Sequence, residues 1–157
     1  MATIRPFDQS DMVALRELVL ELHEELRPFD RDLAPGEQII DNYFRKLLTD
    51  VEKSSGVIFL CEEGGVAVGY VCLFGAVQPE DLDDVPKRYG FMAELYVKSG
   101  CRNRGIGQEL VRHAEDYARS LGDYKMELKV LVPNEAARRF YESCGYTPRI
   151  VVMRKHL

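Results

Sequence analysis

A length of 157 residues suits one domain, residues 1–157 taken as a single unit, and 46% hydrophobic with 30% charged residues sets the chain apart from disordered sequences. A net charge of -5, with basic residues dispersed rather than clustered, argues against duplex nucleic acid as a partner. No apolar run reaches membrane-span length and Met1 to Phe7 lacks a basic-then-apolar leader pattern, so no membrane partner is expected and the compartment reads as cytoplasmic.

In chain order, Thr3 to Pro6 predicts a short first strand. Asp8 or Ser10 then offers an N-cap for a helix whose apolar positions Met12, Leu15, Leu18, Val19, Leu22 and Leu26 fall on one face. Pro28 to Gly36 breaks that helix. A second amphipathic helix carries Ile40, Tyr43, Phe44, Leu47, Leu48 and Val51 on its stripe and ends at Ser54-Ser55-Gly56. Val57 to Cys61 and Val66 to Phe74 are apolar runs separated by Glu62-Glu63-Gly64-Gly65, a hairpin signal. A polar, acidic loop from Gln78 to Lys87 leads to a strand at Phe91 to Val97.

Beyond a glycine-rich turn, Leu110, Val111, Ala114, Tyr117, Ala118 and Leu121 form the buried stripe of a third helix stopped by Gly122. Met126, Leu128 and Val130 alternate as a strand, Asn134 caps a last helix that ends at Gly145, and Ile150 to Met153 is expected to close the sheet. This order predicts an α/β (mixed α+β) fold, a mixed sheet with helices on both faces. Cys61, Cys72, Cys101 and Cys144 are widely separated, with no C-x-x-C pair, and Cys61 and Cys72 read as small core residues. His23, His113 and His156 are isolated, so no metal site is expected.

The stretch most informative about chemistry is Arg102-Asn103-Arg104-Gly105-Ile106-Gly107-Gln108, set between a strand and a helix start. Glycines allow a sharp turn that gathers backbone N–H groups, the helix N-terminus adds unpaired donors, and two arginines add charge. Together they read as a pyrophosphate cradle. A Walker loop is excluded because no Gly-Lys-Ser/Thr follows, and a dinucleotide fingerprint fails because Leu110 stands where the third glycine belongs. The competing reading is a tight turn with surface arginines.

Here the chain resembles the GCN5-related N-acetyltransferase (GNAT) family. Arg102, Gly105 and Gly107 match its [RQ]-x-x-G-x-[GA] signature; "AELYV" at Ala93 to Val97 looks like its fourth strand; "NEAARRFYESCGY" at Asn134 to Tyr146 is similar to its last helix, and the closing "MRKHL" also looks like the family. The resemblance implies the acyl-CoA N-acyltransferase fold, with a central mixed, mostly antiparallel sheet. It implies acetyl-CoA as co-substrate, bound where two parallel strands splay near Val97 and Val130. The pantetheine amides would pair with Leu95, Tyr96 and Val97, the pyrophosphate would sit on Arg102 to Gln108, and Asn134 and Arg138 would add contacts.

Acyl transfer needs a neutral amine, a stabilised oxyanion and a protonated leaving thiolate. Tyr141 is the candidate proton donor to sulfur, against a reading as a core aromatic beside Phe140. Glu94, an acid inside an apolar strand on the face of Met92 and Tyr96, is the candidate base, against a reading as an exposed edge carboxylate or salt-bridge partner. The Val97 N–H is the candidate oxyanion donor. Neither Cys101 nor Cys144 has an adjacent histidine, and the resemblance implies direct attack in a ternary complex rather than an acyl-enzyme.

The acceptor is expected against Pro28 to Pro35 and Gln78 to Tyr89. There Glu80, Asp81, Asp83 and Asp84 would favour a cationic amine, while Arg27, Arg31 or Arg88 would favour a carboxylate. Small-molecule and protein amines both remain open. The family suggests a homodimer, and a non-catalytic CoA-binding sensor is the alternative function.

Overall fold

A computed structural model describes residues Met1–Leu157. The elements are β1 (Thr3–Pro6), α1 (Met12–Leu26), α2 (Gly36–Lys53), β2 (Val57–Glu63), β3 (Val66–Val77), β4 (Tyr89–Val97), α3 (Ile106–Ser120), β5 (Met126–Leu128) and α4 (Glu135–Ser143). The five strands lie in the order β1-β2-β3-β4-β5, antiparallel through β4 and parallel between β4 and β5. A mixed, mostly antiparallel sheet is thus what the chain forms.

Two apolar layers sandwich that sheet. On one face Leu15, Leu18 and Val19 of α1 and Ile40, Phe44 and Leu47 of α2 pack on Ile58, Leu60, Tyr70, Cys72 and Tyr96. On the other, Ile106, Leu110, Val111 and Ala114 of α3 pack on Cys61, Val68, Val71, Met92 and Val97. Each fully buried Leu or Val contributes roughly 1.5–3 kcal/mol through burial, which is why the helical stripes and strand runs meet face to face. Cys61 and Cys72 are both fully buried, as expected of small core residues. Asp8 caps the turn that opens α1: its carboxylate takes the Ser10 N–H at 2.9 Å, and Asp11 returns a bond to the Asp8 N–H at 2.8 Å.

Two departures from expectation shape one end of the molecule. First, β5 is only three residues long and Val130 lies outside it. A turn at Val132–Pro133, closed by the Asn134 N–H on the Leu131 carbonyl at 2.9 Å, takes the chain away into α4. Because β5 pairs only with Gly90, Phe91 and Met92, the second half of β4 has no strand on that side.

Second, Ile150 to Met153 do not close the sheet. No residue after Gly145 lies in a helix or strand, and these four side chains are 66–90% exposed. A strand needs an edge to pair with, and a three-residue β5 offers little. Ion pairs hold this segment instead: Arg149 to Asp84 at 2.8 Å and Glu127 at 3.2 Å, and Arg154 to Asp30 at 2.8 Å and Asp32 at 2.6 Å. No helix is long and apolar enough to cross a membrane.

Candidate active site

The site is built around an irregularity in β4. Cys72 pairs with Glu94 and Leu73 with Met92, so Ala93 is an extra residue opposite no partner, a β-bulge. Before the bulge Met92 points into the α3 layer; after it Glu94 and Tyr96 point toward α1 and α2. Glu94 therefore shares a face with Tyr96 but not with Met92, which corrects strict alternation along the strand.

Glu94 is neither an exposed edge carboxylate nor a salt-bridge partner. Only 8% exposed, it accepts a hydrogen bond from the Tyr70 hydroxyl at 2.6 Å on Oε2 and another from the Tyr43 hydroxyl on Oε1. Burial raises its pKa above the ordinary carboxylate value, and the bonds from Tyr43 and Tyr70, with His23 nearby, oppose that rise. Both phenols are pushed up in turn, by burial first and then by the carboxylate they face. The sequence reading missed these partners. Tyr43 sits on the apolar stripe of α2 and Tyr70 in an apolar run, so both pass for core; the one available signal was a lone acid facing them.

Backbone pairing explains what the open half of β4 offers. The Lys98 N–H bonds to the Val68 carbonyl at 2.8 Å, and antiparallel pairing alternates. Tyr96, opposite Tyr70, therefore spends its backbone groups on β3, whereas those of Leu95 and Val97 turn to the side that β5 has vacated. The Val97 carbonyl there takes the Arg102 Nε at 2.7 Å. The Leu95 groups and the Val97 N–H stay open. The Tyr96 side chain lies on the α1 face, its hydroxyl 3.1 Å from both Glu21 and Glu25.

Below this edge the loop bends through two left-handed residues, Asn103 (φ 58°) and Gly105 (φ 82°), into α3. No side chain caps α3, and its first internal bond runs from the Glu109 N–H to the Gly105 carbonyl at 3.0 Å. The N–H groups of Ile106, Gly107 and Gln108 thus face outward with no protein partner, the arrangement that receives anions. Gly107 packs closely: a Cβ there would come within 3.1 Å of the Phe140 ring of α4, which would have to shift by a few tenths of an ångström.

The arginines behave differently from the fixed charges expected of them. Arg102 turns back to Val97 and to Glu25, at 2.6 Å, and lies over the Tyr96 ring; Arg104 is held by Glu63 at 2.6 and 3.0 Å. What the loop leaves unpartnered is therefore mainly its backbone N–H groups rather than its arginine side chains.

On the α3 side of the sheet, α4 brings Tyr141 into the same apolar layer as Leu95. Its ring packs edge-on against Phe140 and Tyr146, and burial pushes its pKa up to about 12. Unlike the hydroxyls of Tyr70, Tyr96 and Tyr146, that of Tyr141 has no partner within the protein. Asn134 spends its Oδ1 capping α4 through the Ala137 N–H at 3.2 Å, and the Arg138 guanidinium bonds the Val132 carbonyl at 3.3 Å. The Cys144 thiol is pushed up by burial, which disfavours a nucleophilic thiolate.

At the expected acceptor rim, Asp84 is engaged by Arg149, Arg27 by Glu24, and Arg88 by the Leu121 carbonyl. A shallow cavity of about 380 Å³ flanks the loop at Arg104, Gly105 and Gln108.

A mixed sheet opened beside its fourth strand, with that open edge running to an uncapped helix N-terminus, is the architecture of acyl-CoA N-acyltransferases. The chain belongs to the GNAT acetyltransferase family, whose description matches residues 16–146. It is 30% identical over 151 residues to an uncharacterised N-acetyltransferase of Methanocaldococcus jannaschii, a match that covers 96% of this chain and 62% of that relative's length. Its fold is that of a GCN5-related N-acetyltransferase from Ralstonia eutropha JMP134 (TM-score 0.78, 24% identity, 99% of each chain). The aminoglycoside N-acetyltransferase AAC(6')-Iy in complex with CoA shares it too (TM-score 0.70, 16% identity, 99% of this chain and 100% of that one). At these identities the two structures speak to fold.

Proposed function

We propose that the chain moves an acyl group, acetyl in the first instance, from the thioester of coenzyme A to a primary amine by direct attack in a ternary complex. The observation that carries this reading is the placement of Glu94 and Tyr141 on opposite faces of the sheet, either side of the open edge of β4. An acyl group lying along that edge would have a proton acceptor on one side and a proton donor on the other.

The residues fit the co-substrate. Open groups on Leu95 would pair the pantetheine amides, with Tyr96 fixing the strand from its other face. The backbone from Arg102 through Asn103, Arg104 and Gly105 to the free N–H groups of Ile106, Gly107 and Gln108 would hold the pyrophosphate. The Asn134 amide nitrogen and Arg138 would add outer contacts.

Attack by a neutral amine forms the C–N bond, and the Val97 N–H, directed to the open side, stabilises the oxyanion. Glu94 is the terminal acceptor of the proton the amine loses. As the C–S bond breaks, the Tyr141 hydroxyl gives its proton to sulfur, and the phenolate takes one back from solvent as the products leave. An ordinary phenol titrates near ~10 and an ordinary thiol near ~8.5. The apolar surroundings that push Tyr141 to about 12 also disfavour a bare thiolate, so the proton moves as the bond breaks.

The acceptor class is a primary amine on a small molecule or a protein. The reading also takes residues 1–157 as one catalytic domain at work in the cytoplasm as a homodimer, with no metal.

Isothermal titration with acetyl-CoA, with ATP and NAD as controls, tests the proposal. Micromolar binding of acetyl-CoA alone supports it, and an amine panel then identifies the acceptor. No binding by a folded sample overturns it. Binding without turnover on any amine, unaltered in Y141F, would identify a CoA sensor instead.

A further inference from the structure

An incoming amine has little direct access to Glu94, which is buried and whose Oε1, on the α2 side, is already covered by the Tyr43 hydroxyl. Each of its carboxylate oxygens already accepts one phenol hydrogen, Oε1 from Tyr43 and Oε2 from Tyr70, and the residue is 8% exposed. The two phenols differ in reach. Tyr70 is fully buried beneath the helices, whereas Tyr43 is 39% exposed on α2.

Tyr43 also stands beside the wall expected to receive the acceptor. Its ring lies 6.3 Å from that of His23 on α1, and the His23 imidazole is fixed 2.7 Å from the Ala34 carbonyl in the loop joining the two helices. The titratable groups around Glu94 are Tyr43 from α2, Tyr70 and Cys72 from β3, and His23 from α1. No lysine or arginine bonds the carboxylate, so no fixed cation competes with the phenols for its charge.

We infer that Tyr43 is a catalytic residue: its hydroxyl meets the acceptor amine and relays the proton to Glu94. This inference rests on the acyl-transfer reading above. As the C–N bond forms, the amine nitrogen gives a proton to the Tyr43 oxygen while the Tyr43 O–H proton passes to Glu94 Oε1. The phenol ends neutral and Glu94 ends protonated, then releases its proton to solvent after product leaves. Two protons move and no charge is left on Tyr43, which suits a phenol whose ionisation its surroundings oppose. Tyr70 is a positioning residue that holds the other carboxylate oxygen and keeps Oε1 turned toward α2.

The test compares wild type, Y43F, E94Q, the Y43F/E94Q double variant and Y70F on an amine that wild type acetylates, with acetyl-CoA affinity measured by titration. Residues contributing general acid–base catalysis are worth roughly 10²–10⁴-fold. Y43F is expected to lose about 10²-fold in kcat at unchanged acetyl-CoA affinity, and the double variant to lose no more than E94Q, because the two act as a unit. The rate of wild type in mixtures of light and heavy water should follow a curved proton inventory, reporting two protons in flight, and that of Y43F a linear one.

The outcomes separate. Y43F turning over like wild type while E94Q is impaired overturns the relay alone. So does a Y43F loss accompanied by a linear inventory in wild type, which would make Tyr43 a positioning residue like Tyr70. Equal losses in Y43F and Y70F also count against it. Should Y70F fail to fold, the inventory decides. Absence of turnover in wild type on every amine, with acetyl-CoA bound, overturns the acyl-transfer reading and the relay with it.

Discussion

Replacing Gly105 with alanine isolates the contribution of loop shape to ligand binding. Gly105 has φ 82°, and nothing lies within 4 Å of the Cβ that alanine would add, so no clash enters the balance. The cost is conformational, roughly 1–2 kcal/mol for an L-residue held in the left-handed region. In a chain of this size each kcal/mol lowers Tm by about 2–4 °C. Gly122, at the far end of α3, is a matched control: φ 77° and again nothing within 4 Å. Urea unfolding of G105A and G122A should give equal losses of stability at unchanged m-value. Their acetyl-CoA affinities should part. If G105A relaxes its backbone toward negative φ, the N–H groups of Ile106, Gly107 and Gln108 turn away from a shared focus. Loss of one hydrogen bond to a charged group costs about 1.5–3 kcal/mol, a weakening of roughly tenfold or more. G122A should bind as wild type does. Equal affinities in the two variants would refute the loop as an anion cradle, and a G105A as stable as wild type would refute the strain behind it.

Three further outcomes are expected. Y141F should lower kcat about 10²-fold while acetyl-CoA affinity holds, measured by thiol release and titration side by side. Because burial raises the pKa of Glu94 when folded, its neutral form contributes stability at low pH that is lost as pH rises above the ordinary value of 4.5. The gap in urea midpoint between E94Q and wild type should therefore widen in favour of E94Q as pH climbs from 4.5, and a constant gap would contradict the shift. R102K keeps the charge but not the planar fork that reaches the Val97 carbonyl and Glu25 together, so the KM for acetyl-CoA should rise roughly tenfold.

Local signals made much of the fold legible. The stripes of α1, α2 and α3 and the β2–β3 hairpin appear where periodicity and turn residues place them, because each needs only neighbours within a few positions to be recognised. In that hairpin Glu62 and Glu63 extend β2, and Gly64-Gly65 alone makes the turn. The tail exposes the limit of that logic. Ile150 to Met153 has strand composition, but strand formation depends on a free edge elsewhere in the chain, and β5 ends too soon to provide one. The turn before α3 was legible in its glycines, whereas the partners of its arginines were not, since Arg102 finds Glu25 across 77 positions and Arg104 finds Glu63 across 41.

The bulge at Ala93 is the least legible feature and the one on which the candidate chemistry turns. From Phe91 to Val97 nearly every residue is apolar, so an inserted residue leaves no break in pattern. Without it, Glu94 would share the face of Met92, in the apolar layer beneath α3 and away from every phenol that now satisfies it. An unpartnered carboxylate there would face a desolvation cost that drives it neutral. With the extra residue, Met92 still seals the pairing with β5 while Glu94 crosses to the α2 side and Leu95 returns to the layer of Tyr141. One inserted residue thus places Glu94, the proposed proton acceptor, and Tyr141, the proposed donor, on opposite sides of the open edge of a single strand. Tyr43 and Tyr70 make the displaced charge tolerable without neutralising it with a cation. A base held this way keeps its affinity for a proton, which a salt bridge would have lowered.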